Sequence, residues 1–218
     1  MKEVDLMALE KNSLSILLGY VVIMLCQILA QKLFWSSTLL YIVLTIIGIL
    51  GTGLLLFLNH KFKFQNQIEK DKSPATAKII LWGLVGTVLV IIGQWLTLHL
   101  SHLLFHTPLF SNNTDQFLTI FHQTPFYAID IVLTTPIIEE LIFRKVFFGN
   151  LTAYFKPWIA AIISSTLFAF AHQDGHFLTY FVMGLIFEFI YFKTHDIKAS
   201  MISHAGLNLI VLLCNGIV

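Results

Sequence analysis

Residues 79–104 read IILWGLVGTVLVIIGQWLTLHLSHLL, and none of these positions carries a lysine, arginine, aspartate or glutamate. A helix needs about 20 predominantly apolar residues to cross the hydrocarbon core of a bilayer, so this stretch is long enough to be a transmembrane helix. The whole chain has the same character: 57% of its 218 residues are hydrophobic and only 11% are charged. Since a soluble domain carries about twice that share of charge, the composition predicts an integral membrane protein.

Apolar segments of similar length recur along the chain. They lie at about 14–33, 37–58, 79–104, 125–148, 157–172, 177–192 and 197–217. An open sheet cannot satisfy its backbone hydrogen bonds in lipid, whereas a helix can. We therefore predict an all-α fold, a polytopic transmembrane helix bundle of about seven spans. The fifth and sixth segments are short, so the count ranges from six to eight.

The most polar part of the chain, HKFKFQNQIEKDKSPATAK, divides two apolar segments from the five that follow. We predict an N-terminal two-helix hairpin over 1–58, a cytoplasmic loop over 59–78 and a helical core over 79–218. Residues 106–123 contain no lysine or arginine and are predicted to form an external loop.

The distribution of basic residues predicts the orientation, because cytoplasmic loops hold the excess of lysine and arginine. With the N-terminus inside, Lys32 is the one basic residue outside, against eleven lysines inside when Arg144 is set aside. We expect a multi-pass protein of the cell membrane with a cytoplasmic N-terminus. The basic residues are 12 Lys and 1 Arg, which favours a bacterial chain, and the net charge of +1 gives no reason to expect nucleic acid as a partner.

Residues 137–145 read IIEELIFRK and place three charged groups inside an apolar run. Glu140 and Arg144 are four residues apart in the favourable order for an ion pair on one helix face. Glu139 points about 100° away. An ionised carboxylate there costs about 2.5–3.5 kcal/mol unless it faces a partner or a water-filled cavity, where it would suit a general base. The alternative is that all three form a purely structural salt bridge near the cytoplasmic end of the helix.

Two later helices also carry polar side chains at a spacing of four. FAFAH places Phe168 and His172 on one helix face, and HAGLN places His204 and Asn208 on another. A single histidine in an apolar helix is usually a hydrogen-bonded core residue. Ionisable residues on three helices of one small bundle predict a common cavity, because such residues are expensive in a membrane.

The motifs EELIFR, FAFAH and HAGLN match EExxxR, FxxxH and HxxxN in order and in membrane setting. Over residues 125–218 the chain resembles the CPBP family of CAAX proteases and bacteriocin-processing enzymes, also called Abi. It departs from many members at Lys145, which stands where a glycine often follows the arginine.

The resemblance implies an intramembrane endopeptidase that cleaves a leader peptide or a membrane-anchored protein. Carried over residue by residue, Glu139 and His172 would activate the attacking water. His204 and Asn208 would stabilise the oxyanion of the tetrahedral intermediate. The second glutamate and the arginine of the first motif would hold the site in shape.

Two possibilities for a cofactor stay open at this point. Zinc or another divalent metal could be held by Glu139, His172 and His204, with one position left for water. The chain has no HExxH motif, however, and a water activated by glutamate requires no ion. We favour the reaction without a cofactor.

Two other classes of protein are compatible with these features. One is a non-catalytic membrane immunity or regulatory protein that keeps the family scaffold and binds a peptide or a sensor partner. The other is a small transporter with a proton relay, which would predict internal repeats that the chain does not show. Outside the motifs, Glu188 is expected to extend its carboxylate toward the helix end near Lys193.

Overall fold

A computed structural model describes residues 3–35, 38–109 and 112–216, and within these ranges the chain forms helices and short connections without a strand. This confirms the predicted all-α fold. The helices are α1 (Glu3–Leu33), α2 (Thr38–Lys61), α3 (Thr76–Phe105), α4 (Asn112–Gln123), α5 (130–151), α6 (Pro157–His172), α7 (Phe177–Thr194) and α8 (Ile197–Gly216).

Five helices of the described part of the chain are long and apolar enough to cross a membrane: Lys11–Leu33, Thr38–Lys61, Thr76–Phe105, Phe177–Thr194 and Ile197–Cys214. The shorter apolar helix α6 and the central helix α5 supply two more, in agreement with about seven spans. The bundle surface exposes large apolar side chains such as Leu50 and Leu103, as expected of a surface that faces lipid.

Helix α5 lies at the centre of the bundle, where it contacts α1, α2, α6, α7 and α8. It is continuous but irregular, since π-helical turns over Asp130–Thr134 and Glu140–Phe148 flank the α-helical turn Thr135–Glu139. The N–H of Thr135 donates to the carbonyl of Asp130, and the N–H of Gly149 to that of Arg144, each five residues earlier. π-Helical turns are rare and frequently occur at functional sites.

Small residues allow α3 to approach α7 and α8 closely. A Cβ atom at Gly83 would lie 2.7 Å from Cβ of Ile202 and 3.3 Å from the carbonyl oxygen of Ala199. Membrane helices commonly associate through such small residues, because close backbone contact increases van der Waals packing.

The polar connection after α2 is shorter than predicted, because α2 continues to Lys61 and α3 begins at Thr76. Asn66 anchors it: its amide donates to the Tyr191 hydroxyl (2.7 Å), and its carbonyl oxygen accepts the N–H groups of Ile68 and Glu69. Glu69 in turn forms an ion pair of 2.6 Å with Lys145. The connection is thus fastened to one end of the bundle, while its cytoplasmic location stays a prediction.

Most of the segment 106–123, predicted to be a loop, forms helix α4, while its external location stays a prediction. The prediction considered only basic residues and overlooked the amphipathic pattern. Phe117, Leu118 and Phe121 lie half-buried on the same side of α4. Burial of an apolar face is what stabilises such a helix on the bundle.

The glycine at position 83 provides a test of this packing. We expect Gly83→Ala to lower the free energy of unfolding by about 1–3 kcal/mol, because the new methyl group overlaps Ile202. Gly53→Ala is the matched control, since a Cβ there meets nothing within 4 Å. Thermal unfolding in detergent would measure both, and equal stability of the two variants would contradict the close approach of α3 and α8.

Candidate active site

A cavity of about 280 Å³ lies between the helices and brings together the four residues predicted to do the chemistry. Glu139 enters it from α5, His172 from α6, and His204 and Asn208 from α8. Much of the remaining wall is apolar. The three motifs therefore meet in space although they are up to 69 positions apart in sequence.

Arg144 is completely buried, and its charge is balanced at close range. Its Nη1 lies 3.4 Å from Oε1 of Glu140, which is the ion pair that their spacing predicts. The guanidinium group also lies 4.3 Å from the ring centre of Phe168 and 5.0 Å from that of Phe187. A cation between two aromatic faces gains electrostatic stabilisation from the ring quadrupoles.

Glu140 connects this buried cation to the cavity through His204. The Nδ1–H of His204 donates to Oε1 of Glu140 at 2.9 Å, the same oxygen that faces Arg144. The imidazole also stacks on Phe187, with ring centres 4.6 Å apart. Because Nδ1 is committed to the carboxylate, Nε2 is the nitrogen left for the cavity, and it lies 3.6 Å from Oε2 of Glu139.

His172 is oriented in a similar way on the neighbouring helix. Its Nδ1 lies 2.8 Å from the carbonyl oxygen of Phe168, so this nitrogen carries the proton and Nε2 is the acceptor in the neutral ring. The ring stacks on Tyr180 with centres 3.7 Å apart, and the Tyr180 hydroxyl donates to Asp174 at 2.8 Å. The FxxxH motif thus has two functions, since the Phe168 ring also covers Arg144.

Asn208 is held by an irregularity of α5. Its Nδ2 donates to the carbonyl oxygen of Ile131 at 2.9 Å. In the π-helical pattern this carbonyl would pair with the N–H five residues later, but that residue is Pro136, which has none. The proline therefore frees an acceptor that positions Asn208, and the second proton on Nδ2 remains available to the cavity.

Several residues of the site were not predicted from the sequence. Phe187 and Tyr180 hold the two imidazoles, while Tyr20 and Gln94 line the cavity from α1 and α3. Only Gln94 carried a signal, as the single amide in an otherwise apolar run.

The expectation that the Glu188 carboxylate extends toward a helix end is wrong. It is 1% exposed and accepts a hydrogen bond of 2.8 Å from Ser165. Because the Ser165 hydroxyl on the neighbouring helix α6 supplies this hydrogen bond, the Glu188 carboxylate does not have to reach water at the membrane surface.

Glu139, His172 and His204, the candidate ligands for a zinc ion, are not placed to share one ion in this structure. In the part of the chain that the structure describes, no three His, Cys, Asp or Glu side chains are placed to share an ion. Nδ1 of His204 is already bonded to Glu140.

Comparison with known proteins identifies the family of the chain. Residues 121–210 match the family model described as type II CAAX prenyl endopeptidase Rce1-like. The chain is 31% identical to the membrane-embedded CAAX protease MroQ of Staphylococcus aureus over 78% of its own length and 71% of that protein. It is 32% identical to the putative membrane peptidase YdiL of Bacillus subtilis, over 62% of this chain and 55% of that one. It is also 30% identical to the UPF0177 protein YbdI of Lactococcus lactis, over 80% and 90% respectively. No solved structure matches significantly.

The apolar helices indicate a polytopic membrane protein, and the matching family model and relatives place it among membrane peptidases. The chain belongs to the CPBP family, the CAAX proteases and their bacterial relatives.

The ion pair between Glu140 and Arg144 predicts that the loss of one charge destabilises the protein more than the loss of both. Arg144→Met leaves the Glu140 carboxylate buried without its cation, so we expect a loss of about 3–5 kcal/mol in the free energy of unfolding. The double variant Glu140→Gln with Arg144→Met removes both charges and should recover part of that loss.

Lys198→Met is the matched control, because this cation is exposed and 3.9 Å from Asp196. We expect a change of at most about 1 kcal/mol there. A double variant as unstable as Arg144→Met would show that the charge of Glu140 is not what Arg144 compensates.

Proposed function

We propose that the protein is an intramembrane endopeptidase that hydrolyses a peptide bond in a leader peptide or in another membrane-associated substrate. The observation that carries the proposal is the convergence of Glu139, His172, His204 and Asn208 on one cavity inside an apolar bundle. The family membership supports it, and so do the names protease and peptidase given to two relatives.

Two groups in the cavity can accept a proton and so activate the water, namely His172 and Glu139. Nε2 of His172 is an acceptor because Phe168 holds the proton on Nδ1, and Glu139 is the carboxylate half-exposed to the cavity. Glu139 takes a proton from the water while the oxygen of that water attacks the carbonyl carbon. When the C–N bond breaks, the same proton passes to the leaving nitrogen, as general acid–base catalysis requires.

Stabilisation of the oxyanion falls to the two residues of α8. Asn208 offers its second Nδ2 proton, since the first is held by Ile131. A proton on Nε2 of His204 makes that ring a second donor, and the hydrogen bond from Nδ1 to Glu140 fixes the orientation of the ring. Donors fixed in a dry cavity stabilise developing negative charge more strongly than water does.

The first test is the loss of the proposed base. We expect Glu139→Gln to lower cleavage by about 10²–10⁴-fold, because a carboxamide cannot accept the proton of the water. The purified protein in liposomes would be incubated with a panel of synthetic amphipathic leader peptides and farnesylated CAAX peptides, and products would be identified by mass spectrometry.

Asp71→Asn is the matched control, an acid-to-amide change at an exposed side chain outside the cavity. It should cleave like the wild type. If the wild type bound peptides from the panel without cleaving any, the family scaffold would serve here as a non-catalytic binding protein.

We also propose that the reaction proceeds without a metal ion. Cleavage by the wild type is then expected to persist, within about twofold, after dialysis against EDTA and 1,10-phenanthroline, because the base and the oxyanion donors are all side chains. Loss of activity that is restored by added zinc would contradict this and would favour the ligand set Glu139, His172 and His204.

A further inference from the structure

Besides Tyr180, which donates to Asp174, three polar side chains line the cavity in addition to the four proposed to do the chemistry. Tyr20 comes from α1, Gln94 from α3, and Thr135 from α5, one turn before Glu139. All three are half-buried, and within the described residues none of these side chains makes a hydrogen bond. Their hydroxyl and amide groups face the cavity, so each can form a hydrogen bond with a ligand that enters it.

The reaction itself indicates what that ligand needs. A peptide bond can be attacked only when the surrounding segment is unwound, and its N–H and C=O groups then lose their helical partners. At membrane depth each unsatisfied backbone group costs several kcal/mol unless the protein supplies a donor or an acceptor. The Gln94 amide supplies both, which matches one peptide unit, and the hydroxyls of Tyr20 and Thr135 can each do either.

The rest of the cavity wall indicates that the side chains of the ligand are apolar. Phe117 and Leu118 of α4, Met183 of α7 and Leu212 of α8 present apolar surface to the cavity. The described residues that line it include no lysine or arginine. A free C-terminal carboxylate would therefore find no permanent cation, whereas an uncharged internal segment fits.

We propose that Tyr20, Gln94 and Thr135 form a backbone-binding wall that holds an extended, apolar, internal segment of the substrate. The proposal rests on the function proposed above, because it assigns this wall to the same cavity. It is distinct from the chemistry, since the wall contributes binding energy to substrate and transition state alike.

Affinity measured without turnover tests the wall. In a Glu139→Gln background, a fluorescein-labelled peptide from the panel would be titrated in liposomes and its Kd read from anisotropy. Gln94→Met keeps the length of the side chain and removes the amide, and we expect Kd to rise about three- to tenfold, the effect of one hydrogen bond. Tyr20→Phe and Thr135→Val, which remove only a hydroxyl group, should act in the same direction.

Controls of the same chemistry lie outside the cavity. Gln27→Met on α1 and Tyr154→Phe, which is 64% exposed, should leave Kd unchanged. Replacing single amides of the peptide by esters removes one N–H at a time. At the position that Gln94 contacts, the ester should weaken binding to the background protein and have no further effect in Gln94→Met.

The outcomes separate the two proposals. Unchanged Kd in all three wall variants, with normal thermal unfolding, would overturn the wall and leave cleavage by the wild type as evidence for the enzyme. Weakened binding in the wall variants of a protein that cleaves no peptide would support the wall and overturn the enzyme. Preference for peptides with a free C-terminal carboxylate near the labelled segment over amidated ones would overturn the internal-segment assignment.

Discussion

The burial of one arginine in an apolar bundle is the constraint on which the site depends. Arg144 has no access to water, so its charge must be balanced by groups of the protein, and the nearest is the carboxylate of Glu140. The same oxygen of Glu140 accepts the Nδ1–H of His204. The position of the His204 imidazole on α8 therefore depends on the Arg144 cation on α5. Arg144, Glu140 and His204 act as one electrostatic unit rather than as three independent residues.

Aromatic side chains extend this unit to the other helices. Phe168 places its ring over Arg144 and its carbonyl against His172, and Phe187 lies against both Arg144 and His204. Each imidazole is thus fixed by an acceptor at Nδ1 and by one ring face. Such a network specifies one arrangement of four helices because the polar groups at its centre have no comparable alternative partners in lipid.

Local spacing made part of this predictable. Residues four apart share a helix face, so the Glu140–Arg144 pair and the polar faces of α6 and α8 follow from sequence alone, as does the all-α fold from long apolar segments. The stacking of Tyr180 on His172 does not follow, because it depends on how α7 packs against α6. The hydrogen bond from Asn208 to Ile131 likewise depends on the π-helical turn before Pro136, and no local sequence pattern predicts that turn. The apolar face of α4 can be identified in the sequence from the spacing of Phe117, Leu118 and Phe121, but the distribution of lysine and arginine does not indicate it.

The residues proposed for the chemistry and two of the three proposed for substrate binding lie in different parts of the chain. All the residues proposed to hydrolyse the bond lie within 121–210, the region that the family model matches. Tyr20 and Gln94 lie outside it, on helices composed mostly of apolar residues. The electrostatic unit of Arg144, Glu140 and His204 tolerates little change, because each member compensates another at close range in a medium that offers no water. Under the assignment proposed above, a side chain of the wall contacts only the substrate and has no such partner to satisfy, so a change in α1 or α3 alters the segment that is held without disturbing the chemistry.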